Sequence, residues 1–169
     1  MSPTGSTHEE FLAKAKEDAL RLLSFRPRST EELRSRLLKK KHDKSTIDSV
    51  VSLLSKHGLL DDEKFAKLYA LSLIQGKAAG KKQIRFDLQN KGLSPKTVEN
   101  ALEAIGDFDE KEVALETAVH RYGRMKGVAQ KTAKQRLYGF LSRRGFSTQS
   151  VFYALDKLFK GSGNSNENV

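Results

Sequence analysis

Apolar residues along this chain recur at intervals of three and four, the spacing that lines one face of an α-helix. Three segments carry the same set without a gap: Leu33–Leu54, Ile84–Ile105 and Leu137–Leu158, offset by 51 and then 53 residues. Leu33, Ile84 and Leu137 open the pattern, and Leu37, Leu88 and Leu141 follow four residues on. Ile47, Val98 and Val151 come next, then Val51, Leu102 and Leu155, and finally Leu54, Ile105 and Leu158. Between the two halves of each segment lies a break. Gly92 and Gly145 stand where a helix should stop, because glycine takes the left-handed backbone that closes a helix. The first copy has Lys41 there, which predicts a different turn. Asp43, Ser94 and Ser147 follow as N-cap types, with Pro95 at a first helical position where its missing N–H costs nothing.

A further helix precedes each pair, over about 9–25, 63–75 and 110–122. Phe11, Ala15, Ala19, Leu22 and Leu23 mark the first; Phe65, Leu68 and Tyr69 the second; Val113, Ala114, Ala118 and Tyr122 the third. Asp62 and Asp109 are the expected N-caps, and Asp109 with Glu112 has the spacing of a capping box. Residues 26–29, 75–80 and 123–130 connect the elements. No alternation of period two is present. The expected fold is therefore all-α: three tandem three-helix repeats in an elongated, curved array. Repeat 1 covers residues 9–60, repeat 2 residues 61–106 and repeat 3 residues 107–160. Residues 1–8 are a polar tail and 161–169 (GSGNSNENV) a low-complexity one, and both are expected to be disordered.

Composition narrows the chemistry. Hydrophobic residues make up 37% and charged residues 31%, which suits thin helical units under a solvated surface. With no cysteine, disulfides, thiolate catalysis and Cys-rich zinc sites are excluded. His8, His42, His57 and His120 have no metal-ligand spacing. The segment from Gly76 to Lys82 departs from a phosphate-binding loop in its glycine spacing and lacks the Ser or Thr after the lysine; it reads as a flexible basic loop. Asp61–Asp62 reads as a capped helix start, not as an acid–base pair. Nothing points to a nucleophile–base set, a metal or a cofactor. No apolar run is long enough for a transmembrane helix, and the start lacks a signal-peptide core, so a cytoplasmic protein with no membrane partner is expected.

Charge brings in the partner. The net charge is +10, and it is uneven: residues 111–160 hold 11 basic and 3 acidic side chains. Such a surplus favours a polyanion. Lys40, Lys91 and Arg144 align across the copies, as do Lys39 and Arg143, and Lys81 and Lys134. A repeated array with repeated charges fits an extended ligand. For any single residue a solvated helix face is the simpler account. The cluster Arg121, Arg124, Lys126, Lys131, Lys134, Arg136, Arg143 and Arg144 is different, because so few acids lie near it that self-repulsion needs a partner. Lys82 and Arg85 complete the candidate set with Lys40, Lys81 and Lys91. Phe86, Tyr138, Phe140 and Tyr153 interleave with these charges. Base stacking is open to them, but the periodicity favours core positions, with Tyr138 the exposed exception.

The segment Gly58–Leu59–Leu60–Asp61–Asp62–Glu63–Lys64–Phe65–Ala66, with Gly80–Lys81–Lys82–Gln83–Ile84, Leu88–Gln89–Asn90–Lys91–Gly92–Leu93 and the Leu141–Phe146 run, resembles the RecX regulatory family over about residues 11–159. The resemblance implies a monomeric protein that binds RecA filaments on single-stranded DNA, lies along the filament groove and inhibits strand exchange and ATP hydrolysis, without catalytic residues. His42 departs from it at the Leu93/Phe146 position. Nothing in the residues fixes the sign of the modulation. The competing reading is a helix-turn-helix-like DNA-binding module or transcription factor, motivated by the helix pairs with their glycine turns.

Overall fold

The computed structural model describes residues 4–105 and 108–160, with side-chain surroundings from residue 7 onward. The expected tail at 161–169 lies outside the described residues. Within them are nine α-helices and no strand: α1 Thr4–Phe25, α2 Thr30–Lys39, α3 Lys44–Lys56, α4 Asp62–Lys77, α5 Lys81–Asn90, α6 Pro95–Ala104, α7 Glu110–Tyr122, α8 Gln130–Arg143 and α9 Thr148–Lys160. They form three three-helix repeats in tandem. The chain divides into two compact units: residues 1–69 with 88–101, and residues 70–87 with 102–169. The core of the first joins Ala15, Ala19, Leu33, Leu37, Ile47, Val50, Val51, Leu54 and Leu60. That of the second joins Ala114, Ala118, Ala133, Leu137, Leu141, Phe146, Val151, Ala154, Leu155 and Phe159.

The repeat pattern is a burial pattern. Its first three aligned sets, from Leu33 to Val151, are all within 1% of complete burial. Val50, Ala101 and Ala154 form a further buried set at the same offsets. Each leading helix also buries two alanines one turn apart: Ala15 and Ala19, Ala66 and Ala70, Ala114 and Ala118, all at 0% exposure. Alanine there lets helices approach closely, and α7 lies against α9 along much of its length.

The stop of each middle helix is one motif built three times. Lys41, Gly92 and Gly145 have φ of 66°, 77° and 78°. In each the left-handed residue donates its N–H three residues back and the next residue five back: Lys41 to Leu38 and His42 to Leu37, Gly92 to Gln89 and Leu93 to Leu88, Gly145 to Ser142 and Phe146 to Leu141. The first turn, expected to differ, therefore has the same geometry, with a lysine carrying the strain. The residue after it does change role. Leu93 and Phe146 are buried, whereas His42 places Nε2 2.9 Å from Asp18 Oδ2, beside Lys40 Nζ at 2.8 Å from Oδ1. The three following caps form as expected: Asp43 accepts from Thr46 N–H, Ser94 from Thr97 N–H and Ser147 from Ser150 N–H.

Three boundaries differ from expectation. α1 begins at Thr4, so residues 4–8 of the tail expected to be disordered are helical. Asp61, not Asp62, caps α4, because its carboxylate reaches the Lys64 N–H at 3.0 Å. α4 continues to Lys77 and ends at Ala78, which takes a left-handed φ of 46°. At Asp109 half a capping box forms: the carboxylate accepts from Lys111 and Glu112 N–H, while Glu112 Oε1 accepts from the Tyr153 hydroxyl at 2.6 Å.

Asp62 has another use. Its carboxylate accepts the Thr30 N–H at 2.7 Å, and the Ser29 hydroxyl donates to the Lys91 carbonyl at 2.6 Å. In the second unit the corresponding positions make the corresponding joint. Glu110 accepts the Lys81 N–H at 2.9 Å, and the Gly80 N–H donates to the Arg144 carbonyl at 2.9 Å. The start of one repeat's middle helix thus docks on the turn that ends the next repeat's middle helix. Contact is close enough that a Cβ at Gly92 would overlap Glu31, and one at Gly145 would overlap the Gln83 backbone.

Candidate nucleic-acid interface

Six basic residues of the second unit gather about one ring. Phe140, on α8, is half-buried, with the Arg121 guanidinium 5.1 Å from its centroid and that of Arg144 5.0 Å away. A delocalised cation over a π-face is held there by the ring quadrupole. Each guanidinium thereby has a favourable contact within the protein itself. Arg121 comes from the last turn of α7 and Arg144 from the C-cap of α8. Around the ring lies a groove of about 560 Å³, lined by Arg121, Arg124, Lys126, Arg136 and Arg143 together with Phe140. Gly139 also lines it, and a Cβ there would sit 3.2 Å from Arg143 Nη1. A second hollow shares Arg121, Arg124 and Phe140 with the groove, has Arg144 in its wall, and is lined by Lys77 and Ala78 at the end of α4 and by Glu116 and His120 of α7. Arg124 and His120 meet at 2.8 Å, one helical turn apart.

The arrangement sorts the candidate residues. Arg121, Arg124, Lys126, Arg136 and Arg143 share the groove, and Arg144 joins it through Phe140. Arg121, Arg124, Lys126, Arg136 and Arg143 are exposed; Arg144, expected to be solvated, is half-buried against the ring. Lys131 is exposed on α8 outside the groove lining, and Lys134 lies 5.5 Å from the Phe159 ring. Lys81 and Lys82 are exposed at the start of α5, where their backbone N–H groups serve the joint, and Arg85 is half-buried one turn on. In the first unit the aligned lysines are already engaged. Lys40 pairs with Asp18. Lys91 Nζ stands 2.7 Å from Glu32 Oε1 and 5.3 Å from the Tyr69 ring centroid. The shared charge at positions 40, 91 and 144 therefore serves three different contacts.

The aromatic residues also depart from expectation. Phe86 is 58% exposed, not core. Tyr138 is 41% exposed, as its alignment with Arg34 and Arg85 suggested. Phe140 as the organiser of two arginines was not legible, because its neighbour Arg121 is nineteen positions away in the sequence. Among the described residues no group of three His, Asp or Glu side chains is placed to hold a metal ion, and no helix is long and apolar enough to cross a membrane.

Comparison with known proteins follows the same division into threes. The family models described as the first, second and third three-helix domains of RecX match residues 15–54, 61–102 and 109–155. The chain belongs to the RecX family. Regulatory protein RecX of Chlorobium phaeobacteroides is 32% identical over 147 residues, covering 87% of this chain and 95% of the relative. That of Vibrio vulnificus is 36% identical, covering 85% and 92%. The crystal structure of RecX from Lactobacillus salivarius superposes with a TM-score of 0.80 at 21% identity, covering 90% of this chain and 99% of that one, a likeness of fold.

Proposed function

We propose that this regulatory protein binds the RecA filament on single-stranded DNA in the cytoplasm, as a monomer and without catalysis, and that it inhibits strand exchange and ATP hydrolysis. Membership of the RecX family supports the choice of partner. The observation that carries the binding mode is the set of six cations gathered around Phe140, two of them in contact with its ring. Guanidinium groups present a fixed fork of donors that matches phosphate oxygens. The groove is the surface that meets the phosphate backbone of the filament's DNA or acidic groups of its protein.

The test is RecA ATPase on single-stranded DNA at rising concentrations of this protein. ATPase falls if the reading holds, and the variant Arg121→Glu with Arg143→Glu inhibits at least about tenfold less well while keeping its helicity, since two reversals at a charged contact cost well over 1.4 kcal/mol. Unchanged ATPase and strand exchange at saturating protein overturn it. Protection of a specific duplex site in the absence of RecA would replace it with the transcription-factor reading.

A further inference from the structure

Tyr138 on α8 and Phe152 on α9 are both exposed, at 41% and 58%, with ring centroids 5.8 Å apart and planes inclined by 51°. The fold does not need them there. The core-facing positions of the two helices are taken by Leu137 and Leu141 and by Val151, Ala154 and Leu155. The pair forms the wall of an open, mostly apolar hollow of about 460 Å³ that also includes Lys134, Gln135 and Leu155. Its one acid, Asp156, is paired with Lys160 at 2.9 Å. Gln135 lines this hollow and the basic groove alike, so an apolar site with aromatic walls opens directly beside a track of arginines.

Phosphates on one side and an aromatic face on the other is what a single strand requires, because its unpaired bases offer a π-face to stack and its backbone follows cations. We propose that Tyr138 and Phe152 form a stacking platform for an unpaired nucleobase of single-stranded DNA whose phosphates lie in the groove around Phe140. The platform rests on the reading of that groove as a phosphate track. It takes any base, since every base has a π-face, and it excludes paired bases, whose faces are covered by their neighbours. Phe140 is not the platform: two guanidiniums already occupy its surroundings.

The experiment is fluorescence anisotropy of the full chain, without RecA, against a labelled oligothymidine and an abasic strand of equal length. The wild-type chain binds oligothymidine about tenfold more tightly than the abasic strand, the loss expected when stacking on one base is removed. Tyr138→Ala with Phe152→Ala brings that ratio to about one and leaves the abasic affinity unchanged, whereas Tyr138→Phe keeps the preference. Far-UV circular dichroism of the double variant stays as wild type, because neither ring is core. A wild-type ratio of one, with the abasic strand still bound, removes the platform and leaves the groove. Failure to bind either strand removes both. A ratio that survives in the double variant, or an equal loss for both strands, places base contact elsewhere and overturns the assignment. A double variant that keeps the base preference but no longer inhibits RecA shows instead a protein-docking face.

Discussion

At the residue scale, three positions that look alike in the sequence carry different constraints. Lys41, Gly92 and Gly145 all adopt the left-handed backbone, which costs an L-residue about 1–2 kcal/mol and glycine almost nothing. The glycines have a second reason, because the preceding repeat docks where a Cβ would stand. Lys41 is exposed, so its side chain is tolerated at the strain cost alone. Gly145→Ala is accordingly expected to destabilise the protein by about 3 kcal/mol, from strain and overlap together. Lys41→Gly should stabilise it by about 0.5–1 kcal/mol, the strain relief less glycine's chain entropy. Urea midpoints at constant slope distinguish the two signs. Glu32 gives a pH prediction. Burial pushes its carboxyl upward, but the hydrogen bonds from Arg26 and Lys91 outweigh it and hold the group at about 2, below the ordinary 4.5. A depressed carboxylate contributes stability above its unfolded value and loses it as pH falls toward its folded one. Wild type should therefore lose more stability than Glu32→Gln between pH 4.5 and 2, measured by thermal unfolding across that window. Asp18, held lower still by Lys40 and His42, moves in the same direction.

At the element scale, helix starts and stops are paired across repeats. The N-terminal amides of α2 and α5 would be orphan donors. They are met by the carboxylates of Asp62 and Glu110, each at the first position of the next leading helix. Burial raises the Glu110 carboxyl, but donation from Ser147, Lys81 and Ser150 prevails and lowers it. Removing that acceptor leaves several donors unmet, so Glu110→Ala should cost about 2 kcal/mol or more, against about 1 for Asp61→Ala, which removes a cap alone. Equilibrium denaturation of the two variants checks the order. Helix existence, most boundaries and the caps at Asp43, Ser94, Ser147 and Asp109 were legible, since they depend on residues within one turn. The exchange of Asp61 for Asp62 as cap was not, because Asp62 is drawn to Thr30, a partner thirty-two positions away. The end of α4 escaped for a related reason: Gly76 suggested a loop, yet nothing crowds it and the helix runs through.

At the scale of the whole molecule, charge is distributed by use. Residues 111–160 contain most of the excess, and that stretch supplies the groove; elsewhere lysines at matching positions sit in ion pairs. Binding of single-stranded DNA should weaken linearly with the logarithm of salt concentration, with a slope of about −0.7 per phosphate neutralised. Arg121→Gln with Arg143→Gln should flatten that slope by about 1.4, while Lys40→Gln and Lys91→Gln leave it unchanged and lower stability instead. Titration over a salt series separates the two classes. By itself the sequence determined the fold class, the threefold repeat and the third repeat as the most basic, because hydrophobic period, caps and net charge are local or additive properties. Tertiary structure decided what each charge faces. Lys40, Lys91 and Arg144 occupy one place in the pattern, yet the first meets Asp18, the second Glu32 and the third the ring of Phe140. Asp18 and Glu32 come from other helices than the lysines they meet, and the Arg121 that shares the ring of Phe140 with Arg144 comes from α7, so no spacing along the chain records those contacts.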